Sequence, residues 1–591
     1  MRLRLLLPLV VVCATLTACS GLQGTASAAQ EVTARPDVPA GQYVNPLPIT
    51  TPTGATVESC PDPSIIRGQP GDNYWYLYCT NERFTDYAPV HLLLISKSSD
   101  LVHWTYVGDV FQRLPSWVAS DAGLWAPDIQ YFNGRYYLYY AASKTSHAGS
   151  AIFVATSASP VGPWTASPTP VVEPQSCCGG SRDVIDPAIV EDGGQRYIFY
   201  GSFHGGIAAR RLSADGMTSD SASEVPIATS DRYEAPYVIK RNGSFYLMVS
   251  SGPCCAGLLT GYSVFVGKSP SVLGPYLDKD GNSLLDSRVG GTPVLQMNGN
   301  RWLGPGHNAV VADASGQDWI IYHAVDVNKP VFADSWTRRP AMMDRLDWSD
   351  GWPVARGGSG PSDTAQSAPA LDASATVQAD PDALADPPGA QLAEYSVDFQ
   401  PPSLSPQWQW IRPDLRPSFS LNSGQLAFAT QAGDLYLNSH SASVLAEPAP
   451  AGDYIVEVKL SNDVPPIGDF NFSQTGLVIY TDDNNYIKLV VAAINGTRQI
   501  EFAKQYAPFG YAQYGHTFLS SPDATTYLRI HKRSSGSQET YTAASSHDGL
   551  TWEPGPTWTH NLGSGARIGL VSMSGAGFTS YFDYVPVYGG N

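Results

Sequence analysis

The sequence predicts an all-β fold, a five-bladed β-propeller followed by a β-sandwich, and three observations carry that prediction. An aromatic-rich strand recurs five times, at Tyr74-Trp75-Tyr76-Leu77-Tyr78, Tyr136-Tyr137-Leu138-Tyr139-Tyr140, Tyr197-Ile198-Phe199-Tyr200, Phe245-Tyr246-Leu247-Met248-Val249 and Trp319-Ile320-Ile321-Tyr322. Each copy follows a short apolar strand and a polar turn, and two further strands follow in most copies, a four-strand unit without helical periodicity. After Arg356 the composition breaks, and alternating strands resume beyond about Gln391. One large β-sandwich is the competing account, and it leaves the register of the repeats unexplained.

The N-terminal stretch reads as an export signal. Met1-Arg2-Leu3-Arg4 is its basic end, Leu5 to Val12 its apolar run, and Leu16-Thr17-Ala18-Cys19 resembles a bacterial lipobox whose Cys19 becomes lipidated. Residues 1–19 are assigned to this signal and a disordered segment is expected to about residue 41. A simple secretory signal cleaved near Ala26 to Ala29 is the other reading. Either one puts the folded part outside the cytoplasm. Six further cysteines, Cys60, Cys79, Cys177, Cys178, Cys254 and Cys255, fit disulfides in that compartment, with Cys60 and Cys79 flanking a turn between neighbouring strands. The adjacent pairs could bridge vicinally or cross-link two loops.

The propeller is expected over 42–356. Its first strands in each repeat are Asp62-Pro63-Ser64-Ile65-Ile66, Ala126-Pro127-Asp128-Ile129, Asp186-Pro187-Ala188-Ile189-Val190, Glu234-Ala235-Pro236-Tyr237-Val238-Ile239 and His307-Asn308-Ala309-Val310-Val311. Asn133-Gly134, Asp192-Gly193-Gly194 and Asn242-Gly243 supply the hairpin turns. The innermost strands of a propeller line one channel, so Asp62, Asp128, Asp186, Glu234 and His307 are expected to converge there. Residues 357–391, rich in Gly, Ser, Ala, Pro and Asp, read as a flexible linker, and 392–591 as the sandwich, with strands such as Tyr454 to Leu460 and Arg567 to Val571.

Charge narrows the partners. Lys and Arg total 35 against 53 Asp and Glu, a formal charge of −18, which argues against nucleic acid and suits a neutral polymer. Converging carboxyls suit hydrolysis of a glycosidic bond. Inversion needs one protonated carboxyl for the leaving oxygen and one ionised carboxylate for water, roughly 6.5–9.5 Å apart. A third carboxylate beside the acid would hold its proton near neutrality.

Cys60-Pro61-Asp62-Pro63-Ser64-Ile65, Val184-Ile185-Asp186-Pro187-Ala188 and Tyr233-Glu234-Ala235-Pro236-Tyr237 resemble the base, modulator and acid motifs of glycoside hydrolase family 43. The resemblance implies Asp62 as general base, Asp186 as pKa modulator and Glu234 as general acid. Gly201 to Ile207, Ser251 to Gly257, Gly274 to Gly281, Gly304-Pro305-Gly306-His307-Asn308 and Arg345 to Trp348 resemble the family's arabinanase branch. It implies cleavage of L-arabinofuranosyl linkages in arabinan and a calcium ion met by His307 in the channel, mostly through water. The sequence departs from that branch at Pro61, where a His commonly stands, and at His204, where the branch has Phe-Trp rather than Phe203-His204.

Substrate contacts are expected from Trp125, by stacking, and from His204 and Arg232, with a packed Trp125, a turn-capping His204 and an Arg232–Asp231 pair as the plain alternatives. Asp128 reads as structural. The second domain is similar to the concanavalin A-like sandwich of related β-xylosidases, and the length of the linker argues against obligate docking. The readings carried forward are endo-acting arabinan hydrolysis, exo action as an arabinofuranosidase, β-xylosidase or galactofuranosidase, and a non-catalytic carbohydrate-binding lipoprotein. No organic cofactor is expected, and oligomeric state is not encoded.

Overall fold

Five antiparallel meanders follow one another along the chain, each running outward from its first strand; four are four-stranded sheets, and the first belongs to a six-stranded sheet in which Ile49–Thr50 adds in parallel to Trp104–Phe111. The first strands are Ser64–Arg67, Leu124–Phe132, Ala188–Asp192, Glu234–Arg241 and Trp302–Ala312, and the aromatic strands Trp75–Cys79, Arg135–Ala142, Gln195–Ser202, Ser244–Ser251 and Asp318–Asp326 are their hairpin partners. The protein, a five-bladed β-propeller with a C-terminal sandwich, is seen here as a computed structural model that describes residues 40–590 apart from 147–148, 178–179, 375–386, 401 and 463–470. The export signal and Cys19 lie outside the described residues, as do Cys178 and the side chain of Cys177.

The aromatic strands are apolar at nearly every position because each blade is covered on both faces. In the first blade Trp75, Leu77 and Cys79 pack toward Trp319, Ile321 and Met343 of the fifth, while Tyr76 and Tyr78 pack toward Leu138 and Tyr140 of the second. Successive side chains of a strand point to opposite faces, so the two faces of one strand feed two inter-blade layers. The same division recurs around the ring.

Ring closure lies outside the blades. Leu47 N–H donates to the Ala341 carbonyl at 2.9 Å and Cys60 N–H to that of Arg339 at 3.0 Å, which ties the first blade to the fifth. Buried Asp344 accepts Tyr322 Oη at 2.6 Å and the Ser362 backbone N–H at 3.0 Å. Ala370 N–H reaches Asp313 Oδ2 at 2.8 Å, and Gln366–Ser367 pairs with Gln42–Tyr43. Residues 357–370, expected as flexible linker, therefore begin as a strap held on the propeller. Small side chains let this backbone approach the buried carboxylates, and those contacts are invisible to composition.

The sandwich stacks a seven-stranded sheet on a larger one in which Tyr454–Asn462 is central. Leu477, Ile479, Leu489 and Leu570 of the first sheet meet Val456, Val458, Leu528 and Phe582 of the second in one core. That core also takes in Met297, Leu303 and Val325 of the propeller. Ala40 to Asn591 forms one compact unit, contrary to the expectation of loose docking. Across the junction Val289 N–H donates to the Arg498 carbonyl at 3.0 Å, Arg498 N–H to that of Ser287 at 2.6 Å and Thr557 N–H to that of Met297 at 2.9 Å, and Lys279 pairs with Glu553. The structure pairs Cys60 with Cys79 (Cα–Cα 5.2 Å) and Cys254 with Cys255.

Candidate active site

One backbone device, repeated in every blade, sets which side chains enter the channel. A non-glycine residue with positive φ stands at or just before each innermost strand: Asp62 (52°), Ala126 (47°), Asp186 (56°), Ala235 (53°) and His307 (50°). Four of them precede proline, which adds to a cost of about 1–2 kcal/mol per left-handed residue. Hydrogen bonds from the preceding blade hold them. Asp62 N–H donates to His323 Nδ1 (3.2 Å), Ala126 N–H to Thr80 Oγ1 (2.8 Å), Ala235 N–H to Asp186 Oδ2 (3.0 Å) and His307 N–H to Ser250 Oγ (2.9 Å).

This register corrects one expectation. The counterpart of Asp62 in the second blade is Ala126, not Asp128, and Trp125 takes the place that Glu234 takes in the fourth. A bulge between Trp125 and Asp128 turns Asp128 into the blade interface, where Oδ2 accepts the Ile189 N–H at 2.9 Å and Gln130 at 3.0 Å. Burial pushes its carboxyl up to about 7. Asp128 is structural, as the sequence reading had it.

A cavity of about 440 Å³ opens over the channel, lined by Asp62, Asp186, Glu234, Trp125, His307 and Arg339 together with Tyr262, Cys254, Cys255 and Trp336. Among the described residues its lining comes from the propeller alone. Asp62 is 7 % exposed; Oδ1 accepts Arg339 at 2.8 Å and Oδ2 accepts Thr80 Oγ1 at 2.6 Å. Burial raises its pKa, but the Arg339 guanidinium, with the Thr80 hydroxyl, more than reverses this and holds the carboxyl well below the usual range. His307 and His323 place Nδ1 3.3 Å from Asp62 Oδ1, yet burial lowers both below the usual imidazole value, so neither contact is an ion pair. His323 Nδ1 accepts the Asp62 N–H and is therefore assigned the Nε2–H tautomer.

The second carboxyl cluster has the opposite bias. Glu234 Oε1 accepts Tyr262 Oη at 2.7 Å and Oε2 accepts Ser202 Oγ at 2.8 Å. Asp186 Oδ2 accepts the Ala235 N–H at 3.0 Å and so fixes the backbone next to Glu234. Burial, then the Glu234 charge, push Asp186 well up; burial also raises Glu234 despite its two hydroxyl donors. Burial and like charge thus favour the protonated form at this cluster, and the hydroxyls of Tyr262 and Ser202 can turn to accept a proton from Glu234.

The expected substrate residues separate. Trp125 lines the cavity, half-buried, and Gly123 makes room for it, since a Cβ there would come within 2.0 Å of the indole nitrogen. His204 stands outside, exposed, its Nδ1 3.1 Å from Asp183. Arg232 is fully buried at the junction, donating to Leu519 O at 2.6 Å and Gln499 Oε1 at 3.2 Å, and it pins the sandwich rather than meeting substrate or Asp231. His307 lines the cavity, but no group of three or more His, Cys, Asp or Glu among the described residues is placed to hold a metal. The carboxylate nearest His307 is engaged by Arg339, and calcium prefers oxygen donors. These residues do not by themselves make a calcium site.

Sequence reading missed Thr80, Ser202, Tyr262, His323 and Arg339. Thr80, Ser202 and His323 share one legible signal, a polar residue at or near the end of an aromatic strand. Tyr262 and Arg339 carry none; they arrive from loops distant in sequence.

The comparisons agree with this geometry. The family model for Glycosyl hydrolases family 43 matches residues 49–353, and that for the Beta xylosidase C-terminal Concanavalin A-like domain matches residues 396–585. The Extracellular endo-alpha-(1->5)-L-arabinanase 1 of Bacillus subtilis (strain 168) is 33% identical over 311 residues, 51% of this chain and 88% of that protein. The Extracellular exo-alpha-(1->5)-L-arabinofuranosidase ArbA of Cellvibrio japonicus (strain Ueda107) is 32% identical over 331 residues, 51% of this chain and 87% of that protein. Among solved structures, Cellvibrio cellulosa alpha-L-arabinanase complexed with arabinohexaose is 30% identical, covers 50% of this chain and 95% of its own, and superposes with a TM-score of 0.43. With two family models in series, each on its own fold, and relatives matched over most of their length, the chain belongs to glycoside hydrolase family 43.

Proposed function

We propose that this glycoside hydrolase cleaves α-L-arabinofuranosyl linkages of arabinan by inversion, with endo action. The observation that carries the mechanism is the opposed electrostatics of one cavity: Arg339 favours the ionised form of Asp62, while burial raises the pKa of both Asp186 and Glu234. Environments that push carboxyl pKa values apart assign base and acid. Asp62 takes a proton from water as its oxygen attacks the anomeric carbon. Glu234 gives its proton to the glycosidic oxygen as that C–O bond breaks. Asp186 is a positioning residue, holding the Ala235 backbone and keeping the proton on the pair. Trp125 and Trp336, the latter 54 % exposed at the rim, offer faces to sugar rings.

Arabinan as substrate is supported by the named activities of the two curated relatives. Export is supported by the basic-apolar N-terminus, and by relatives described as extracellular; lipidation at Cys19 and oxidised cysteine pairs follow from the same reading. Exo action is the second reading. It is favoured by the sandwich packing against the loop that bears Tyr262, where a Cβ on Gly261 would lie 1.9 Å from the His516 carbonyl.

Product analysis on debranched arabinan, arabinoxylan and galactofuranan tests the proposal, with anomer detection by NMR and Glu234→Gln as control. Short arabino-oligosaccharides of inverted configuration are expected. Monosaccharide alone would establish exo action, retention would remove Asp62 as base, and no product on any substrate would leave the carbohydrate-binding lipoprotein.

A further inference from the structure

A second cavity, of about 620 Å³, lies between the sandwich and the propeller and has no assigned role. Phe203 and Pro253 come from the propeller, and Tyr436, Phe472, Lys488 and Glu501 from the sandwich. It shares a loop with the catalytic cavity. Gly252 and Pro253 line the one, and the next two residues, Cys254 and Cys255, line the other.

Its chemistry is that of a saccharide site. Tyr436 and Phe472 are 46 % and 54 % exposed, unusual for large rings in a cavity wall, and Tyr436 meets Tyr514 edge-on with centroids 4.9 Å apart. Exposed aromatic faces suit the apolar C–H faces of sugars. Hydroxyls would find charged partners. The Lys488 side chain is 1 % exposed, its ammonium donating to Gln474 Oε1 at 2.5 Å with Glu501 Oε1 3.9 Å away, and Tyr514 donates to that same carboxylate.

Charge selects the ligand class. Asp231, Asp434 and Glu501 line the cavity along with one buried ammonium, and burial keeps His516 neutral. The carboxylates repel anions, while Lys488 at the buried end repels cations. A neutral, hydroxylated ligand can use both signs. Resting on the arabinan reading above, we propose that this cavity is a second binding site for neutral arabino-oligosaccharide, one loop away from the reacting carboxyls.

Isothermal titration of the full chain with arabinohexaose, in the Glu234→Gln background, tests this. Two molecules per chain are expected, falling to one when Tyr436→Ala and Phe472→Ala are added. With Glu234 intact, the same pair should lower kcat/KM on polymeric arabinan about tenfold and leave a nitrophenyl arabinofuranoside unchanged. Both rings are half exposed, and a thermal melt checks folding; if the double variant fails it, Tyr436→Ala alone carries the comparison. One molecule per chain in every variant, with arabinan hydrolysis intact, would overturn the second site and spare the proposed function. No binding together with no hydrolysis of arabinan would overturn both.

Discussion

Arg339 donates to Asp62 Oδ1 at 2.8 Å, although 277 residues separate the two in the chain. That contact is the main reason a nearly buried carboxyl remains ionised. Removing the guanidinium leaves burial as the dominant influence, and Arg339→Gln is expected to raise the acidic limb of the kcat/KM profile by about 1–3 pH units. An acidic limb that stays in place in the variant would mean that Asp62 is not the base.

The alkaline limb is expected to follow the Asp186–Glu234 pair, in which Glu234 must hold a proton for leaving-group protonation. Asp186→Asn removes the like charge while an amide oxygen can still accept the Ala235 N–H. The alkaline limb should move to lower pH and kcat should drop by about 10²-fold or more at neutrality. Nitrophenyl glycosides, which need little protonation, should lose less. Equal losses on both substrates would show that Asp186 does not act through the acid.

Gly306 leaves room for Tyr262. A Cβ at that position would stand 2.1 Å from Tyr262 Cδ1, so Gly306→Ala must move the ring whose hydroxyl holds Glu234 Oε1 at 2.7 Å. Activity is expected to fall about tenfold or more, since losing one aligned hydrogen bond to the acid costs about 1.4 kcal/mol or more. Tyr262→Phe should match it in kcat. A fully active Gly306→Ala enzyme would mean that the ring is not a positioning group.

His547 of the sandwich lies 2.7 Å from Asp523 and 3.5 Å from Asp280 of the propeller. The bond to Asp280, then that to Asp523, outweigh burial and raise its pKa to about 9. A raised folded pKa gives stability that is complete below the unfolded value of about 6.5 and is lost as pH rises through about 9. Thermal melts across that window should fall in the native chain and fall less in His547→Gln. Parallel curves would show that the bridge contributes nothing to docking.

Local spacing determined a good part of this protein. The five aromatic strands were legible because a blade covered on both faces needs apolar residues at nearly every position, and the turns between them carry their own glycine and asparagine signals. Asp62, Asp186 and Glu234 were legible because each opens a repeat, Asp62 and Asp186 directly before a proline and Glu234 before Ala235-Pro236, in motifs that resemble those of the family. The identity of a β-propeller with an appended sandwich followed from those features alone.

Tertiary structure decided the rest, for reasons of register and distance. One left-handed residue per blade shifts the side-chain alternation that follows it, which is why Asp128 looked equivalent to Asp62 and is not. Arg339, Tyr262 and His323 reach the carboxyls from other blades or loops, so no spacing in the sequence announces them. Arg232 lies two residues from Glu234 yet points into the sandwich, and the Gly- and Ser-rich strap after Arg356 is fixed by carboxylates of the propeller. Sequence carries the period of a strand; which of two faces a side chain takes, and what distant group meets it there, is settled only when the ring closes and the sandwich docks.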